Sequence, residues 1–159
     1  MGHRDSCDDL REVRWGVLGA GNISHRFASS LKEVDGARLV AAAGRTPSHV
    51  EEFCRAFSID AAHSYATADD SGDAAYGALI ADPDVDAIYL ALPHGMHARW
   101  ACRALRAGKA VLCEKPAVLR EDEVRAIAAA SREHGVFFME AMKNRFCPLR
   151  DRVKGLLAS

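Results

Sequence analysis

Two spacings of apolar residues alternate along this chain. Short apolar runs lie at Val13–Leu18, Arg38–Ala43, His63–Ala66, Asp86–Leu92, Ala110–Cys113 and Val136–Glu140. Such runs predict strands, and Asp86–Leu92, apolar throughout after its first residue, predicts one buried on both faces. Between the runs the apolar residues fall at helical spacing. Asn22–Glu33 carries Ile23, Phe27 and Leu31 on one side, with Val34 just beyond. The stretch opening at Pro47 carries Val50, Phe53, Cys54 and Phe57, and His97–Ala107 carries Ala98, Ala101, Cys102 and Leu105. A helix is also predicted over Ala74–Ala81, and another behind Glu121 with Val124, Ile127, Ala128 and Ser131 as its inner stripe.

The punctuation agrees with these elements. Pro47 suits the first turn of a helix, and Glu121-Asp122-Glu123 suit the positive end of a helix dipole. Gly108 and Gly135 stand where helices stop, and Asp82-Pro83-Asp84 breaks the chain before the fourth strand. Thr67–Asp73 is small and acidic and reads as a solvated loop. Met1–Glu12 is polar and charged and reads as a disordered lead-in. Pro148 opens a last helix that runs to Ser159. Strand and helix alternate throughout, which predicts a three-layer α/β fold of the Rossmann type, a doubly wound parallel sheet with right-handed crossovers. One such domain is expected over residues 13–147, with 148–159 starting a further helix.

Composition removes several function classes. The net charge of −1 gives no basic excess for nucleic acid. No apolar stretch reaches the length of a membrane span, and the amino-terminal segment has no apolar core of a secretory signal. The five cysteines, Cys7, Cys54, Cys102, Cys113 and Cys147, are odd in number and never spaced C-x-x-C. That argues against a disulfide framework or a zinc site and suits a reducing cytoplasm. His25, His49, His63 and His134 show no metal-like grouping, so no metal is expected.

The candidate chemistry begins at Gly19-Ala20-Gly21-Asn22-Ile23-Ser24, directly behind the first strand and at the start of a helix. In that context a G-x-G-x-x-G-like string predicts a pyrophosphate site. Gly19 permits the tight turn, Gly21 lets the backbone approach the phosphates, and the first helical amides at Asn22 and Ile23 face their oxygens. Ser24 replaces the third glycine and is still small enough for close packing. Gly44-Arg45-Thr46 closes the second strand, where an NAD site would place an acid. No acid stands there. Arg45 offers a planar cationic fork, and Thr46 and Ser48 offer hydroxyls, which favours the 2′-phosphate of NADP over NAD. Leu92, Pro93, His94 and His97 follow the fourth strand, near the position where open α/β sheets bind ligands. Lys115, at the end of the fifth strand, reads by itself as a surface lysine.

Four segments in order change that reading. They are Gly19-Ala20-Gly21-Asn22-Ile23, then Leu92-Pro93-His94-Gly95-Met96-His97, then Glu114-Lys115-Pro116, and finally Met139-Glu140-Ala141-Met142 with Arg145-Phe146. Together they resemble the amino-terminal half of the Gfo/Idh/MocA oxidoreductases, and the last segment is most similar to the dihydrodiol and xylose dehydrogenase branch. His94 stands where that family usually has Asn.

The resemblance implies a nicotinamide dinucleotide cofactor, NADP favoured, and a sugar-like or cyclic diol substrate. It places the Leu92–His97 loop against the ribose and nicotinamide, with Glu114 near the cofactor and Met142 and Arg145 completing the wall. It makes Lys115 the proton partner of the substrate oxygen. Pro116 would rigidify that turn, through a cis peptide in one reading.

The family has a second domain that shapes the substrate pocket, and this sequence stops where it would begin. Slow or absent turnover by this chain alone is therefore expected, as is a homo-oligomer or self-association through the surface the missing domain would cover. Two other readings stay open: a non-catalytic dinucleotide-binding or regulatory module, and an inactive fragment.

Overall fold

A computed structural model describes residues 12–67 and 71–157. The lead-in before Glu12, with Cys7, lies outside the described residues. So do residues 68–70, in the stretch expected to be a solvated loop, and residues 158–159, expected to continue the last helix.

Six parallel strands form one sheet: β1 (Val13–Leu18), β2 (Ala37–Gly44), β3 (Ser64–Ala66), β4 (Ala87–Leu90), β5 (Ala110–Cys113) and β6 (Phe138–Glu140). Their order across the sheet is β3-β2-β1-β4-β5-β6. The chain therefore builds outward from β1 in one direction, returns, and builds outward from β4 in the other. At the β1–β4 junction the crossovers leave in opposite directions, which opens a crevice at the carboxyl ends of those two strands. The helices are α1 (Asn22–Leu31), α2 (Pro47–Phe57), α3 (Asp73–Ala81), α4 (His94–Arg106), α5 (Glu121–His134) and α6 (Pro148–Leu157).

The core forms two layers, one on each face of the sheet. On one face Val17, Ala42, Val50, Phe53 and Tyr89 pack beneath α1 and α2. On the other, Leu18, Leu79, Ile88, Leu90, Trp100 and Leu105 pack beneath α3 and α4. Burial of β4 on both faces is complete, as a continuous apolar run requires. Below the sheet's amino edge, Arg14 ties β1 to the turn before β4, donating to Asp86 at 2.9 Å and to Asp84 at 2.6 Å.

Three helical faces differ from the apolar spacing. In α1 the buried residues are Ser24, Ala28 and Leu31. Ile23 is exposed, as is Val34 beyond the helix end. Small residues let α1 lie close on the strands, and that requirement overrides the larger apolar side chains. In α5 the buried residues are Ile127 and Ala130, while Val124 is half exposed. Helix α4 starts at His94, one turn earlier than expected, because Pro93 serves as its N-cap. The earlier start buries His97, Trp100 and Ala104 along with Ala101, Cys102 and Leu105, and leaves Ala98 only partly covered. Strands β4 and β6 are shorter than their apolar runs, and a 3₁₀ turn at Lys143–Phe146 precedes α6.

Candidate functional site

The glycine turn after β1 is fixed by its surroundings. Gly19 has φ +99°, and a Cβ there would lie 2.6 Å from the carbonyl oxygen of Ala91. Only glycine meets both conditions. Its amide donates to Ala43 O at 2.8 Å, so the turn is stitched to β2. Ser24, fully buried, donates from Oγ to Gly19 O at 2.5 Å. The residue in the third motif position thus ties the helix to the turn as well as leaving room for it. Gly21 differs from Gly19: a Cβ there would meet no protein atom within 4 Å. The space in front of it is open, and α1 begins behind it without a side-chain cap. Uncapped helical amides beside an open glycine suit a phosphate group.

A cleft of about 200 Å³ opens at this turn. It brings together Gly19, Ala20 and Gly21 with Gly44, Arg45 and Thr46 from the end of β2, and Leu92 and Pro93 from the end of β4. It also brings in His49, Val50 and Tyr76, which the sequence reading did not assign. His49 was recoverable: in a helix starting at Pro47 it occupies the first turn, one turn along from Thr46.

A second cleft, of about 820 Å³, adjoins the first and shares Ala91 and Leu92 with it. It gathers Ile23, His94, Glu114, Lys115 and Met142 from the expected set, and adds Arg26, Phe27, Tyr89, Leu112, Met139 and Phe146. The two clefts make one crevice along the carboxyl edge of the sheet. Asn22 heads α1 beside it but lines neither cleft, and neither does Arg145. His97 is wholly buried behind the wall.

The geometry around Lys115 is held by hydrogen bonds. The Glu114 carboxylate accepts from Tyr89 Oη at 2.6 Å and from the Lys115 amide at 3.1 Å. Tyr89 stacks against Phe27 with ring centres 4.0 Å apart. Burial, with Glu114 beside it, holds the Tyr89 hydroxyl well above the ordinary tyrosine range, so it stays a donor to the carboxylate. Burial and the Glu140 and Glu114 carboxylates push the Cys113 thiol up to about 12, which keeps it a neutral core group. The Lys115–Pro116 peptide bond is cis. Beyond it the Ala117 amide donates to Glu140 Oε1 at 2.9 Å, joining this turn to β6. Lys115 itself is exposed on the crevice wall. A buried tyrosine in a strand needs a partner for its hydroxyl, and that need was the available signal for Tyr89.

At the opposite edge of the sheet His63 comes together with Asp82 and Asp84, a grouping its sequence position concealed. The buried Asp82 carboxylate accepts from Tyr65 Oη, the Asp84 amide and His63, and Asp84 pairs with Arg14. Internal hydrogen bonds already occupy this cluster.

Comparison with known proteins shows the family and the fold. A family model, GFO_IDH_MocA, described as an oxidoreductase family with an NAD-binding Rossmann fold, matches residues 13–142. Trans-1,2-dihydrobenzene-1,2-diol dehydrogenase of Mus musculus is 36% identical over 147 residues, covering 91% of this chain and 41% of the relative. The Homo sapiens enzyme of the same name is 34% identical over 148 residues, covering 92% and 41%. Among solved structures, the 3-ketoreductase KijD10 from Actinomadura kijaniata, in complex with NADP and TDP-benzene, superposes with a TM-score of 0.81. It is 31% identical, covering 93% of this chain and 42% of that one. The chain thus spans about two fifths of the length of the curated relatives it matches. Among the described residues no helix is long and apolar enough to cross a membrane.

Proposed function

Since this chain belongs to the Gfo/Idh/MocA oxidoreductase family, we propose that its crevice binds NADP in preference to NAD. It would serve hydride transfer to or from a hydroxyl or carbonyl carbon of a sugar-like or cyclic diol substrate. One observation carries this reading: the cleft at the glycine turn and Arg45 meets the cleft that holds Lys115 at Ala91 and Leu92.

Gly19, Gly21 and the opening amides of α1 would take the pyrophosphate. Arg45, with Thr46 and His49, would face the 2′-phosphate, and among the described residues no carboxylate lines the cleft. The nicotinamide supplies the hydride chemistry when bound. Lys115 Nζ would give a proton to the substrate oxygen when a carbonyl is reduced, or receive it when an alcohol is oxidised, leaving the amine as proton acceptor. Glu114 is already held by Tyr89 and by the Lys115 amide, so its carboxylate is oriented along the wall. The relatives support the substrate class: one is a trans-1,2-dihydrobenzene-1,2-diol dehydrogenase and another a 3-ketoreductase.

The test is a fluorescence titration of the purified chain with NADPH and NADH, with Arg45→Ala beside it. Tighter binding of NADPH than NADH, with the difference reduced about tenfold or more in the variant, is the expected result. Equal affinity for both nucleotides in wild type would remove the NADP preference, and binding of neither would remove the cofactor reading.

A further inference from the structure

Ser24, Asp82 and His97 are buried polar side chains of this chain. Ser24 belongs to the glycine turn and Asp82 to the cluster at the far edge. His97 sits in the first turns of α4, with no exposed surface, and each of its ring nitrogens meets a backbone carbonyl. Nδ1 lies 2.9 Å from Pro116 O, and Nε2 lies 2.7 Å from Leu92 O. Carbonyl oxygens only accept, so a neutral imidazole with a single N–H serves one of them and an imidazolium serves both.

The two partners are not equivalent. Leu92 belongs to both clefts of the crevice, whereas Pro116 is joined to Lys115. The ring that spans them is carried on a helix anchored by Trp100, Ala101 and Leu105, all without exposed surface. From the other side the same turn is held by Glu140 through the Ala117 amide.

We propose that His97 is a positioning residue. It acts as a strut from α4 that fixes the Lys115–Pro116 turn to the Leu92 loop, so that the nucleotide wall and Lys115 move as one body. The ring touches no ligand; it acts through the two carbonyls. The proposal rests on the crevice reading for its functional meaning, while the strut itself is a property of the chain alone.

Three substitutions separate the two contacts. His97→Phe keeps a flat ring and removes both ring nitrogens. His97→Asn keeps a donor near Nδ1, facing Pro116. His97→Gln keeps one near Nε2, facing Leu92. Amide hydrogen exchange of the full chain reads the result at Lys115 and Ala117 for the turn and at Met96, bonded to Pro93 O, for the loop. Gly19 and Val111 report on the rest of the sheet.

In His97→Phe, exchange at Lys115, Ala117 and Met96 is expected to quicken about tenfold, the loss of one hydrogen bond, with Gly19 and Val111 unchanged. His97→Asn is expected to restore Lys115 and Ala117 only, and His97→Gln to restore Met96 only. Wild-type protection at Lys115 and Ala117 in His97→Phe would overturn the proposal. Equal acceleration at every amide would do so too, since that marks general support of the fold. If His97→Phe does not fold, the Asn and Gln variants decide by themselves, and identical behaviour of the two overturns the strut. A wild-type chain that binds neither nucleotide would defeat the cofactor reading and leave the exchange result standing.

Discussion

The two ends of the crevice are built by different means. At the glycine turn, backbone does the work. Gly19 is locked between Ala43 and Ala91, Ser24 clamps its carbonyl, and β1 is paired on both sides. At Lys115, side chains do the work. Tyr89 holds Glu114, Glu140 holds Ala117, and His97 spans Pro116 and Leu92. The first end opens in front of Gly21. The second borders an open face where Phe27, Leu112 and Met139 line the larger cleft, and β6 is a half-buried edge strand. A backbone site tolerates changes to its neighbours and fails when its own glycine changes, while a side-chain site degrades one contact at a time.

The largest expected effect follows from that contrast. Gly19→Val places a branched Cβ against Ala91 O at positive φ, at a combined cost of about 3 kcal/mol or more. Urea unfolding should show a chain that is largely unfolded or strongly destabilised. Gly21→Val is the counterpart. No described residue comes within 4 Å of its Cβ, so the denaturation midpoint should stay near wild type while NADPH affinity falls by about tenfold or more. If both glycines behave alike, the comparison between fold and ligand at this turn is wrong.

At the other end Tyr89→Phe removes one donor to Glu114. A loss of about 1–2 kcal/mol is expected in chemical denaturation, with the glycine turn unaffected in amide exchange. The smallest effect concerns acid. Burial alone would raise the Asp82 carboxyl, but the Asp84 amide, His63 and Tyr65 outweigh it and hold the group below the ordinary aspartate range. A depressed carboxyl contributes stability above the unfolded value, near pH 4, and loses it as pH falls through the folded one. Thermal melting between pH 6 and pH 3 should therefore drop less steeply in Asp82→Asn than in wild type. Because Asp82 lies far from the crevice, nucleotide affinity at neutral pH should be the same in both.

The same division governs what could be read from the sequence. The glycine turn and the alternation of strand and helix were legible because they rest on local spacing and on residues with few conformational roles. β1 and β5 fall on the expected residues. The face of α1 was not legible. Leu31 is buried as its spacing predicts, but the other two buried residues, Ser24 and Ala28, are small, and their selection depends on how closely another layer approaches. His97 reads as a ligand contact in sequence; in the fold it is buried, with its ring nitrogens facing the carbonyls of Pro116 and Leu92. Tyr89 was hidden inside an apolar run because its hydroxyl partner lies on a neighbouring strand. Asn22 and Arg145 resemble their family motif, yet neither lines a cleft.

Ser24 has a consequence for how such turns are recognised. Its hydroxyl closes on the carbonyl of Gly19 five residues earlier, a bond that a glycine in the same place has no group to make. The third letter of the motif is thus a choice between two solutions: empty space, or a short hydroxyl that fills the space and fastens the turn. A search pattern that demands glycine there discards chains built the second way. One that admits serine there keeps them.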